Sequence, residues 1–393
     1  MYNQSFTAKE LYSCVTQAER RDLGLNKEDF MSAIDTNVVQ KLNQGRFRFT
    51  FKEVGGLLMN GNKKEYNAKL YQDIVLRKLH RNIVRIYNVK LSNRNQIIEH
   101  IISLLSENVP LTIIRLDVRH FYNSINRSKL IDKILNDCRL SPMSIHLIRQ
   151  IDKVLSDMHY AGLPQGLSIS TALSELYMKY FDLEIQHFDG VYYFGRYVDD
   201  IIIFCSSESL GNKVWERIPI LLSEIDLELN KKKSYILSPV KDDSTLTYLG
   251  YVFNKNSNKL KISIAESKIK KIKTRITKAF INYSVNHNFD LLLKRIKFLT
   301  GNFMLYSHST LSPIMTGIYF NYKKINEKYC LKDIDIFYQH ILHYRSGSLG
   351  RKMALTKTQV SHLEKYSFQF GFDNHVRHYF SSVEMGEIKK CWK

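Results

Sequence analysis

Phe47, Phe49 and Phe51 alternate with Arg46, Arg48 and Lys52, a period of two that predicts a strand or hairpin with one basic face. From Tyr66 to Tyr87 the apolar positions recur at helical spacing, and Arg77, Lys78, Arg81 and Arg85 make that helix strongly basic. Between Leu111 and Phe253 the texture changes. Short apolar runs, Leu111–Leu116, Val191–Phe194, Ile201–Cys205 and Leu246–Phe253, alternate with longer helical stretches, which predicts a sheet backed by helices. After Ser263 the pattern turns helical again. Ile269, Ile272, Ile276 and Phe280 share one face, while Lys268, Lys270, Lys271, Lys273, Arg275 and Lys278 occupy the rest. Such a charged face is either solvated or laid along a phosphate backbone. Beyond Asn321 the chain predicts only further helix with aromatic residues.

At 393 residues the chain is long enough for two or three lobes, each with its own apolar interior. Its 44% hydrophobic and 24% charged residues are those of a folded protein and exclude a disordered one. The charge balance changes the picture more. Lys and Arg number 58 against 38 Asp and Glu, a net +20, which favours a polyanionic partner such as nucleic acid. Cys14, Cys138, Cys205, Cys330 and Cys391 are scattered and never paired as CxxC, so neither a disulfide framework nor a zinc site is expected. The first residues lack a basic start followed by an apolar run, and no window reaches the roughly 18 apolar residues of a membrane span. A cytoplasmic protein with no membrane partner is the expectation.

The residues that carry chemistry are carboxylates. Tyr197-Val198-Asp199-Asp200 lies between two apolar runs, so a strand–turn–strand hairpin would place both aspartates at its tip. Adjacent carboxylates repel unless exposed or neutralised, and apolar flanks make a divalent cation the natural partner. A plain surface turn is the alternative. Upstream, Ile113-Ile114-Arg115-Leu116-Asp117 reads as a buried strand ending in an aspartate. Between them, Gly162-Leu163-Pro164-Gln165-Gly166 precedes a helical stretch, Ser168–Phe181, and its glycines allow a backbone to approach a ligand closely.

In that order, Asp117, then Leu163–Gly166, then Tyr197–Asp200, the three segments resemble the palm motifs of reverse transcriptases. Leu229-Asn230-Lys231-Lys232-Lys233-Ser234 is similar to the family's lysine-bearing motif, and Tyr248-Leu249-Gly250-Tyr251 to its primer-grip hairpin. The resemblance runs from about Arg81 to Asn302. It implies an α+β right-hand polymerase, with fingers over 1–110, an RRM-like palm over 111–263 into which finger-derived helices are inserted, and a helical thumb with a C-terminal extension over 264–393. It implies two Mg²⁺ ions held by Asp117, Asp199 and Asp200 with Val118 beside them. Tyr122 falls at the steric gate that excludes a ribonucleotide 2′-hydroxyl, with Phe121 its core neighbour. Gln165 and Gly166 would meet the incoming nucleotide. Lys233 best matches the motif lysine, though Lys231 and Lys232 leave that choice open, and Arg81, Arg85 and Arg94 are all candidates for the triphosphate. Tyr248, Leu249 and Gly250 would form the primer grip.

Within the family, Leu167-Ser168-Ile169-Ser170, Leu173-Ser174-Glu175-Leu176-Tyr177 and Phe298-Leu299-Thr300-Gly301-Asn302 are most similar to bacterial abortive-infection and defence-associated enzymes. That likeness implies RNA-directed DNA synthesis on a non-coding RNA template, with dNTPs as substrates and DNA as product. The chain length matches the smaller enzyme of a two-polymerase system, which would make a second polymerase a partner. Template-independent or protein-primed synthesis would use the same site. A catalytically silent RNA-binding scaffold is the reading from another class, and loss of an aspartate or of Tyr122 would have favoured it.

Overall fold

The structure, a computed structural model, describes residues 2–54, 65–107, 109, 111–238, 244–256, 259–306 and 313–392. The chain divides into two compact units, one built chiefly from 1–97 and 109–241, the other from 98–108, 242–305 and 313–393. The division falls near residue 242, whereas the sequence places the end of the sheet-bearing lobe at 263.

In the first unit a short hairpin pairs β1 (Phe51–Val54) with β2 (Glu65–Ala68), and a four-stranded antiparallel sheet follows. That sheet is formed by β3 (Thr112–Asp117), β4 (Val191–Tyr197), β5 (Asp200–Cys205) and β6 (Tyr235–Leu237), in the order β4-β5-β3-β6. The two central strands carry the continuous apolar runs, because both of their faces are covered. Ile113, Ile114 and Leu116 of β3 and Ile201, Ile202, Ile203 and Phe204 of β5 are buried. The helix Ser168–Gln186 packs on β4 and Glu208–Glu224 packs on β3 and β5. Leu70–Ile86 lies in turn against Ser168–Gln186.

Two local differences from the sequence reading have physical causes. Phe47, Phe49 and Phe51 are all buried and their rings contact one another in series, but only Phe51 belongs to a strand. The helix expected from Tyr66 begins at Leu70, because the Tyr66 amide donates to Gln165 O at 2.9 Å and so is committed to an extended pairing.

The second unit holds a three-stranded meander, β7 (Thr245–Tyr248), β8 (Tyr251–Asn256) and β9 (Lys259–Ile264), then the helices Glu266–Asn286 and Phe289–Thr300. The single apolar run Leu246–Phe253 is therefore two strands around a two-residue turn. Leu249 (φ 46°) and Gly250 (φ 86°) both take the left-handed backbone that such tight hairpins need. A small sheet, β10 (Asn302–Tyr306) with β11 (Pro313–Gly317), interrupts the region expected to be wholly helical. Asn302 anchors the start of β10 to the helices beyond it. It is fully buried, its side chain bonds Gly371 O, Val376 O and the Tyr319 amide, and its backbone bonds Val376 and His378. Among the described residues no helix is long and apolar enough to cross a membrane.

Candidate active site

Register brings the aspartates together. In the β3–β5 ladder Asp117 is the Cα partner of Asp200, and in the β4–β5 ladder Tyr197 is the partner of the same Asp200. The 82-residue gap in sequence closes at one end of one sheet. Asp117 is buried and heavily bonded. Its Oδ1 accepts from Asn230 Nδ2 at 2.7 Å and its Oδ2 from Lys233 Nζ at 3.1 Å. Its amide donates to Ser234 Oγ at 3.1 Å, and its carbonyl accepts from the Asn230 amide at 2.8 Å. The Asn230–Ser234 segment thus wraps the end of β3. Lys233 is largely exposed, so its ion pair is a loose one.

The β4–β5 connection is a two-residue turn, Val198–Asp199. Val198 has φ 61°, a left-handed conformation that suits glycine or asparagine and that costs a β-branched residue about 1–3 kcal/mol. Two bonds hold the turn in place. The Val118 amide donates to Asp199 O at 3.2 Å, and Arg196 Nη1 donates to Val198 O at 3.2 Å. Asp200, at the first position of β5, has Arg115 Nη2 at 3.6 Å. Burial pushes the Asp200 carboxyl above the usual carboxylate range, the charges of Asp199 and Asp117 push the same way, and Arg115 works against them. Asp200 therefore lies within electrostatic reach of both other carboxylates. A charge-assisted donor set of this kind fits a divalent cation that keeps several positions for substrate phosphates. Among the described residues no three His, Cys, Asp or Glu side chains already close into a cage; Lys233 and Arg115 sit beside Asp117 and Asp200 instead.

Next to the carboxylates is a cleft of about 340 Å³ lined by Tyr122, Gln165, Gly166, Leu167, Ser170, Thr171 and Asp199. Tyr122, the LPQG loop and one aspartate of the YVDD hairpin thus share one cavity. Phe121 is buried in the core and its ring meets that of Tyr122 edge-on at 5.4 Å. Burial raises the Tyr122 phenol above its ordinary value, with Ser174 and Thr171 of the helix behind the loop working against that rise. The loop is fastened at both ends. Leu163 N donates to Tyr122 O at 2.7 Å, and a Cβ on Gly162 (φ 72°) would lie 2.2 Å from that same oxygen. At Gly166 (φ 97°) a Cβ would meet Tyr66 O at 2.6 Å. Only glycine permits either approach. Ser170 Oγ to Pro164 O at 2.6 Å and His80 Nδ1 to Ser168 O at 2.8 Å secure the start of the helix.

Arg81, Arg85 and Arg94 are not among the residues that line this cleft. Arg81 donates to Ser13 Oγ and Ser13 O, both at 2.8 Å, and so ties its helix to the N-terminal segment. Arg85 is exposed near the end of the same helix, and Arg94 opens the helix Arg94–Ser106. Tyr248 is fully buried beside the Leu249-Gly250 turn of the second unit. Sequence reasoning assigned no role to Arg115, Asn230, Ser234 or Thr171, nor to the buried trio Arg196, Glu175 and Asp182. A charged residue inside an otherwise apolar strand was the available signal for Arg115 and Arg196.

The sheet thus carries carboxylates at the ends of two paired strands, beside a cleft of ligand size. Residues 58–253, almost half the chain, match the family described as reverse transcriptase (RNA-dependent DNA polymerase). Over those residues the chain carries a domain of the reverse transcriptase type. No curated protein matches it significantly. Three solved structures are distantly similar. Apo telomerase from Candida tropicalis has 14% identity and a TM-score of 0.37, over 92% of this chain and 66% of that one. The same enzyme truncated from its C-terminal domain has 14% identity and 0.35, over 59% and 60%. Telomerase from Candida albicans with a TWJ fragment of telomeric RNA has 13% and 0.35, over 81% and 53%. The chain spans between about half and two thirds of the length of these proteins.

Proposed function

We propose that this domain copies an RNA template into DNA at the point where Asp117, Asp199 and Asp200 border the Tyr122–Gln165–Gly166 cleft, and that it does so in antiviral defence with a non-coding RNA. The observation that carries the chemical part is the shared cavity, which puts Asp199 beside the gate tyrosine and the LPQG loop. Two Mg²⁺ ions bound by the three aspartates and the Val118 backbone would activate the primer 3′-hydroxyl and neutralise the pyrophosphate that leaves.

The chain's own residues do the rest. The Tyr122 ring, packed edge-on against Phe121 at the cleft, would clash with a ribose 2′-hydroxyl and so select dNTPs. Gln165 and Gly166 form the cleft floor against the base pair being made. Lys233, lightly held on Asp117, is free to swing to the phosphates as nucleotide enters. Arg81, Arg85 and Arg94 are the candidates for the triphosphate, and Arg81 would first have to leave Ser13. We assign fingers to 1–110, palm to 111–263 and thumb with its extension to 264–393, the Leu249-Gly250 hairpin being the primer grip. The setting is cytoplasmic, and a second polymerase is the expected protein partner.

The defence role rests on the resemblance of the segments after LPQG and of Phe298–Asn302. Its test is a phage challenge of cells carrying the gene with its genomic neighbours, wild type beside Asp199→Asn. Protection lost in the variant supports the role, and equal plaque counts in both reject it. DNA synthesis by protein purified from the same cells, with and without RNase, identifies the template. Synthesis that survives RNase would replace the RNA-templated reading by a template-independent one.

A further inference from the structure

The YVDD turn is held by a buried charge cluster that the chemistry above does not use. Arg196 is 5% exposed, on β4, two residues before Val198. Nε donates to Asp182 Oδ1 at 2.8 Å, and Nη2 to Asp182 Oδ2 and Glu175 Oε2, both at 2.6 Å. Nη1 donates to Glu175 Oε1 and to Val198 O, both at 3.2 Å. All five N–H groups of the guanidinium are used, which only a planar fork can do and an ammonium cannot. Glu175 and Asp182 both stand on the Ser168–Gln186 helix, the one that LPQG leads into.

We propose that Arg196 is a positioning residue, locked between Glu175 and Asp182 so that its remaining N–H pins the strained Val198 carbonyl and sets where Asp199 points. The proposal rests on the reading of Asp199 as a metal-binding carboxylate. Two arguments favour positioning over simple adhesion of strand to helix. A buried ion cluster is a poor stabiliser, because apolar residues of similar volume usually hold such a site as well or better. The bond to Val198 O lands on the one residue of the hairpin whose backbone is unfavourable for its side chain. A clamp there fixes geometry that the turn would not keep unaided. It also links the nucleotide-side helix to the metal-side turn through a single side chain.

The test replaces the cluster as a whole. The triple variant Arg196→Met, Glu175→Met, Asp182→Leu should fold with a melting temperature at or above that of wild type. Its kcat for dNTP incorporation should nevertheless fall by about 100-fold, the scale of a misplaced catalytic group, with KM for dNTP little changed. Mn²⁺ binding to the protein, followed by electron paramagnetic resonance without nucleotide, should weaken in parallel. Adding Val198→Gly should restore at least about a tenth of the lost rate and tighten Mn²⁺ again, because glycine adopts a positive φ without a clamp. A triple variant that keeps kcat within about twofold of wild type and binds Mn²⁺ equally well overturns the proposal, since catalysis would not sense the cluster. So does a loss that Val198→Gly leaves unmoved. If the triple variant fails to fold, Arg196→Lys carries the same comparison with the charge retained. An inactive wild type that binds Mn²⁺ would reject the polymerase reading, and the Mn²⁺ arm would still decide the role of Arg196.

Discussion

Gly162→Ala is the substitution whose effect the structure fixes most tightly. The new methyl would start 2.2 Å from Tyr122 O and 2.5 Å from Asn123 Cα, so one backbone must move by about 1 Å to reach ordinary contact. The left-handed φ of 72° adds about 1–2 kcal/mol for an L side chain. The 2.7 Å bond from Leu163 N to Tyr122 O, which depends on that approach, contributes about 1 kcal/mol more. A loss near 2–3 kcal/mol follows, or a fall in melting temperature of about 4–12 °C. The displaced atoms belong to Tyr122 and the residue after it, Asn123. A gate shifted by about 1 Å should reduce dNTP incorporation by about 100-fold and narrow the preference for dNTP over rNTP. Thermal melting beside single-nucleotide incorporation of each sugar type measures both. A variant with the melting temperature, rate and sugar preference of wild type would refute the close packing of the LPQG loop on Tyr122 and the gate with it.

Other consequences are simpler to state. Tyr122→Val should admit ribonucleotides, raising kcat/KM for rNTP relative to dNTP by at least about tenfold; an unchanged ratio would place the gate elsewhere. Asp200→Asn should abolish incorporation while stabilising the metal-free protein near neutral pH. Because burial raises the Asp200 carboxyl, the folded state holds its proton more tightly than the unfolded chain. Stability then declines as pH rises from the ordinary carboxylate value through the raised one, and urea midpoints in EDTA should show less of that decline in the variant. Lys233→Ala removes the cation on Asp117 Oδ2, so Mn²⁺ should bind the nucleotide-free protein more tightly while incorporation slows; weaker Mn²⁺ binding would contradict the displacement of Lys233 by metal.

The strand ending at Asp117 and the hairpin of the YVDD motif were legible because covered central strands leave apolar runs that end at the aspartates, with Arg115 the one charge inside β3. What the pattern does not encode is long-range commitment. Tyr66 looks helical by periodicity, yet its amide is drawn away by Gln165, about a hundred residues on. Arg81 looks like a phosphate ligand by charge, yet Ser13 takes two of its donors. A valine is a poor indicator of a left-handed turn, so the strain at Val198, and the Arg196 clamp that answers it, became visible only from the backbone. In the apolar run Leu246–Phe253 periodicity alone shows no hairpin, Gly250 being the one turn residue in it, and the hairpin at Tyr248–Tyr251 was legible only by resemblance.

Extension of a DNA primer on a defined RNA template, with Mg²⁺ and one dNTP at a time, tests the central claim most directly when wild type is run beside Asp199→Asn. Wild type should add the nucleotide that the template specifies and the variant should add none, while both melt at similar temperatures. Equal extension by the two proteins, or addition that ignores the template base, would contradict RNA-directed synthesis at the Asp117–Asp199–Asp200 site.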